Sequence, residues 1–140
     1  MSISISLKTR YDECDRIYEF LEKSLSHPMF AGIVSDESVD DLKTAAEEIF
    51  TNIVMHGYGG NPDGTVRMEL QADGSTVSLV ISDSAPPYNP FAKLAVIKPG
   101  ADLSQGGMGL TLIQSMTDEQ HYSYENALNT VRLVKHAEKR

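Results

Sequence analysis

A carboxylate, an amide and an imidazole fall at four-residue spacing in Glu48-Ile49-Phe50-Thr51-Asn52-Ile53-Val54-Met55-His56. On a helix, residues four apart lie one above another on one face, so Glu48, Asn52 and His56 would make a single polar ribbon. Such a ribbon is either a solvated helix edge or one wall of a site presenting titratable and hydrogen-bonding groups. A second cluster is Asp83-Ser84-Ala85-Pro86-Pro87-Tyr88-Asn89-Pro90, in which the carboxylate follows Val77, Leu79 and Ile81 at period two. A carboxylate in register with three core residues sits at the edge of the interior, where it needs a partner to offset desolvation. Taken alone it reads equally as the start of an Asx-type turn or as a ligand contact. The third cluster, Gly106-Gly107-Met108-Gly109, opens a helical stretch at Leu110. Backbone N–H groups and the helix dipole favour a phosphate there, although glycines also make ordinary hinges.

The elements that position these clusters follow from periodicity. Residues 2–8 put Ile3, Ile5 and Leu7 on one face and serines on the other, as in a half-buried strand. From Tyr11 to about Ser26 the period is helical, with Tyr11, Cys14, Ile17, Tyr18, Leu21 and Leu25 in the packed row, and Pro28 ends that helix. Residues 29–35 read as a loop. Ser35 or Asp36 caps a second helix, with Asp36, Glu37, Asp40 and Asp41 at its positive end, running to about Gly57. Its apolar stripe is Val39, Leu42, Ala46, Ile49 and Ile53, and the polar ribbon drifts along one edge of that stripe. Strands are expected at Thr65–Ala72 and Thr76–Asp83 around an Asp73-Gly74-Ser75 turn, and at Gln120–Glu125 and Thr130–His136 around a turn at Asn126–Asn129. Residues 84–105 hold four of the six prolines and read as a long loop. The order β-α-α-β-β-loop-α-β-β implies an α+β two-layer sandwich, a mixed, mostly antiparallel sheet covered on one face by helices.

Bulk properties narrow the functional classes. A chain of 140 residues, 41% of them hydrophobic, suits one domain spanning 1–140. The formal net charge of −8 argues against a nucleic-acid partner, since affinity for phosphate backbones needs clustered Lys and Arg, and the one basic run, Lys135 to Arg140, is a tail. The single cysteine, Cys14, makes no internal disulfide and has no zinc-type spacing around it. No apolar run approaches the roughly 18 residues of a membrane span, and no basic-then-apolar leader opens the chain, so the expected location is cytoplasmic.

Together and in this order, the three clusters resemble the N, G1 and G2 boxes of the histidine-kinase-like ATPase superfamily, over roughly residues 36–135. Within it the sequence is most similar to the stand-alone anti-sigma factor serine/threonine kinases, through Glu48-Ile-Phe-Thr-Asn52-Ile-Val-Met-His56-Gly57-Tyr58, Asp83 with Pro87-Tyr88-Asn89-Pro90, and Gly106-Gly107-Met108-Gly109-Leu110. The resemblance implies the histidine-kinase-like ATPase fold, with ATP and Mg²⁺ as cofactors. It assigns Asn52 to Mg²⁺, Glu48 to the general base, and Asp83 to the acceptor for the adenine exocyclic amine. Gly107 and Gly109 are assigned to the close approach of the lid backbone to the phosphates, with Gly106, Met108 and Leu110 also binding the nucleotide, within an ATP lid of about 84–108. Thr130 is assigned to adenine recognition on the late strand, and His56, Ala85 and Tyr88 to the border of the nucleotide.

Two departures from the family's pattern stand out. Ala85 occupies a usual glycine position, and a methyl group there costs about 1 kcal/mol if the backbone needs positive φ or close approach to the base. Asn129 also replaces a usual glycine, more mildly, because Asn tolerates left-handed geometry. The expected function is a kinase that phosphorylates an anti-sigma factor antagonist and binds a sigma factor or similar regulator. The alternative is an ATP-gated binding module without kinase activity. Sensor kinases would carry a phosphoacceptor-histidine domain upstream, for which 35 residues leave no room, and gyrase-type ATPases a transducer domain, so both fit less well. Family members often dimerise, and Tyr11, Tyr18 and Met29 are the residues offered for a homodimer interface.

Overall fold

The computed structural model describes residues 2–30, 32–91 and 113–137. Five strands form one sheet in the order β1-β2-β3-β5-β4, where β1 is Ser2–Lys8, β2 Thr65–Asp73, β3 Thr76–Asp83, β4 Glu119–Glu125 and β5 Leu128–His136. Every neighbouring pair is antiparallel, so the mixed character expected of the sheet does not arise among the described strands.

Alternation decides which face is buried. Val66, Met68 and Leu70 of β2, Val77, Leu79 and Ile81 of β3, and Val131 and Leu133 of β5 lie within one core, against Ile17, Leu21 and Leu25 of α1 (Cys14–Leu25) and Leu42, Ala45, Ala46, Ile49 and Phe50 of α2 (Asp36–Asn52). The two helices therefore share one face of the sheet, giving the two-layer α+β sandwich. None of the described helices is long and apolar enough to cross a membrane.

Several local outcomes differ from the sequence reading, each for a physical reason. Residues Tyr11–Glu13 wind as a 3-10 turn ahead of α1, which takes Tyr11 out of the packed row and leaves it exposed. Residues 28–30 form another such turn that drives Phe30 fully into the core, where a loop had been expected. Ser35 does cap α2, its hydroxyl accepting the Ser38 N–H at 3.2 Å. The β4–β5 hairpin is tighter than Asn126–Asn129. Glu125 pairs with Leu128, and the two-residue turn places Asn126 and Ala127 at φ 53° and 61°. Consequently Asn129 is a strand residue with no left-handed geometry to tolerate, and it is buried.

Candidate functional site

The C-terminal end of α2 sends its two adjacent glutamates to different surroundings. Glu47 turns toward α1, where its carboxylate accepts a hydrogen bond from the Tyr18 hydroxyl. That bond, aided by burial, holds the Tyr18 phenol well above its ordinary pKa. The Glu48 carboxylate takes no hydrogen bond or ion pair among the described residues. One turn later, the Asn52 side-chain amide donates to the Glu48 carbonyl at 2.7 Å. Because a carbonyl only accepts, the amide nitrogen must face it, and Asn52 Oδ1 is left for another partner.

Beyond Asn52 the winding changes. Ile53–Gly57 is a π turn, closed by the Tyr58 N–H donating to the Ile53 carbonyl at 3.0 Å. His56 is exposed, and its ring stacks on Tyr88 with centroids 5.3 Å apart and planes 20° from parallel. The same turn brings Gly57 under Ala85. A Cβ built on Gly57 would lie 3.3 Å from the Ala85 methyl, so the small residue on the helix makes room for the larger one on the turn. Tyr58 then fastens the connector: its hydroxyl accepts the Ser84 N–H at 3.2 Å, and its ring lies so close to Gly64 that an added Cβ would sit 2.5 Å away.

Asp83 ends β3 on the core side, 5% exposed. Its Oδ1 accepts the Ala85 N–H at 2.9 Å and the Asn129 side-chain amide at 3.1 Å. Burial raises its pKa above the ordinary aspartate value, while those two donors pull in the opposite direction. Neither Ala85 nor Asn129 has positive φ. The backbone strain considered for Ala85 is therefore absent, and the residue is simply buried.

These residues meet around one cavity. Asn52, Ile53 and Gly57 line it from the end of α2, Asp83, Tyr88 and Pro90 from the end of β3 and the turn after it, and Asn129 and Val131 from β5. It has room for about one water molecule. Of the residues expected to contact nucleotide, the structure thus brings together Asn52, Asp83 and Tyr88, with His56 stacked behind Tyr88 and Ala85 beneath the turn. Thr130 does not line the cavity, because alternation along β5 turns it to the opposite face from its neighbour Asn129. Gly106, Gly107, Met108, Gly109 and Leu110, and the lid beyond residue 91, lie outside the described residues. Asn129 is the site residue whose place the sequence reading missed. Counting back by twos from Leu133 and Val131 would have put it on the core face.

The model of the histidine kinase-like ATPase domain matches residues 14–135. The chain belongs to that family. Among its relatives, the Anti-sigma F factor of Anoxybacillus flavithermus is 32% identical over 106 residues, covering 74% of this chain and 73% of the relative. That of Halalkalibacterium halodurans is 32% identical over 108 residues with the same coverage. The crystal structure of the RsbU and RsbW domains of Rv1364c from Mycobacterium tuberculosis superposes on all of this chain and 33% of that one, with a TM-score of 0.68 at 15% identity, and shares its fold. The cavity between the end of α2 and the ends of β3 and β5 thus belongs to an ATPase-family domain. Its donor set suits such ligands: a buried carboxylate can accept from an amine, and an amide oxygen is a hard ligand of the kind Mg²⁺ takes beside phosphates and water. Among the described residues no cluster of three His, Cys, Asp or Glu side chains could hold a metal by itself.

Proposed function

We propose that this chain is a Mg·ATP-dependent serine/threonine protein kinase of the anti-sigma factor type, acting as one domain in the cytoplasm. It phosphorylates an anti-sigma factor antagonist and engages a sigma factor or similar regulator by partner switching. The observation that carries this reading is that α2 and β3 present Asn52 and Asp83 to one cavity, in a chain 32% identical to an anti-sigma F factor. In this reading Asp83 accepts the adenine exocyclic amine, and Asn52 Oδ1 holds Mg²⁺, which neutralises charge on the phosphates. Glu48, unengaged beside Asn52, takes the proton from the attacking hydroxyl. Gly106, Gly107, Met108, Gly109 and Leu110 serve the phosphates. Tyr88 and Pro90 move outward to admit the base, since the cavity as it stands holds little more than water.

A second reading, an ATP-gated binding module without transfer, is favoured by that closure, because ordering or displacing the turn at 84–91 alone changes the surface around His56 and Tyr88. Incubation with γ-labelled ATP and the cognate antagonist separates the two. Label on a serine or threonine of the antagonist supports the kinase. Tight ATP binding with no transfer leaves the gated module.

A further inference from the structure

The turn after β3 is short of donors. Pro86 and Pro87 have no N–H, which removes two backbone donors from the turn. Asn129, directly across the sheet from Asp83, supplies what is missing. Its side-chain nitrogen shares two hydrogens among the Ala85 carbonyl at 3.0 Å, the Pro86 carbonyl at 3.1 Å and Asp83 Oδ1 at 3.1 Å, while its oxygen accepts the Tyr88 N–H at 3.0 Å and the Tyr122 hydroxyl at 2.5 Å. Acceptors crowd one end of the amide and donors the other, so its orientation is fixed by the network. Both bonds to Asp83 fall on Oδ1. Among the described residues, nothing engages Oδ2.

We propose that Asn129, braced by Tyr122, is a positioning residue for base selectivity: it holds the Asp83 carboxylate and the 83–88 turn so that Oδ2 is presented to an exocyclic amine. This rests on the assignment of Asp83 as the adenine acceptor. A carboxylate held in one orientation accepts from the amine of adenine and repels the carbonyl oxygen that inosine nucleotides carry at the same place, whereas a carboxylate free to swivel discriminates less. The two departures from the family's pattern, Ala85 and Asn129, therefore meet in one hydrogen-bonded unit.

The test is the ratio of ATP to ITP affinity for the full chain, measured by calorimetry for the wild type and for Asn129→Gly. A purely structural loss weakens both nucleotides alike and leaves the ratio unmoved. The expected result is a wild type that prefers ATP and a variant whose preference falls by about tenfold, as for loss of one bond to a charged group. Should Asn129→Gly fail to fold, Tyr122→Phe removes one brace without touching the core, with a loss of preference of about threefold expected. A preserved preference in the folded variant overturns the role of Asn129 and leaves Asp83 as the acceptor. A wild type that binds both nucleotides equally, or neither, overturns the adenine assignment and the inference with it.

Discussion

At the Asp83 end of the cavity the chain supplies its own hydrogen-bond partners, whereas at the α2 end, at Asn52 and at Glu48 one turn before it, they are left open. Asp83 Oδ1 accepts two donors, Asn129 makes five contacts, and Tyr58 ties the turn to the end of α2. By contrast, the Glu48 carboxylate and Asn52 Oδ1 engage no described residue, although their neighbours are pinned, Glu47 by Tyr18 and the Asn52 nitrogen by the Glu48 carbonyl. A recognition group gains from being held in one orientation, because each degree of freedom lost beforehand is not lost on binding. A group that must take up a proton or a cation gains from having no competing partner.

If the Asp83 end is built for recognition, Asp83→Asn should abolish base recognition without harming the fold. Its pKa is raised by burial. A raised carboxylate contributes stability that is complete below its unfolded pKa and lost as pH rises through its folded one, so at neutral pH the ionised group is a burden. Asp83→Asn should therefore weaken ATP binding by about a hundredfold while the melting temperature holds or rises, checked by calorimetry beside thermal melts. By the same sign, preference for ATP over ITP should fade on acidification at a pH above that where an ordinary aspartate titrates, because protonation removes the acceptor. Gly64→Ala tests the scaffold. Pushing the Tyr58 ring aside should lower stability by about 1–3 kcal/mol in chemical denaturation. The smallest effect is expected from Tyr18→Phe, which frees Glu47 beside Glu48: about 1 kcal/mol of stability, with phosphotransfer changed less than by any substitution at Glu48.

Much of the scaffold was legible because alternation and helical period are strong where one face is buried. β1 and β3 fall at the expected residues, and Ser35 caps α2 as its type implied. What escaped has physical causes. A π turn carries no distinct composition, so the change of winding after Asn52 is not legible in the sequence. The partner of Glu47 is not legible because the Tyr18 hydroxyl arrives from another helix. Asn129 was read as part of a turn because the two-residue turn at Asn126-Ala127 puts an alanine at positive φ, which sequence preference argues against.

The contrast between the two ends is tested most directly by single-turnover transfer of γ-phosphate from saturating Mg·ATP to the antagonist by Glu48→Ala, with the wild type alongside. Transfer reduced at least about a hundredfold, at unchanged ATP affinity, is expected if Glu48 accepts the proton and the Asp83 end alone recognises the base. Transfer at the wild-type rate, or a loss explained wholly by weaker ATP binding, would contradict that division.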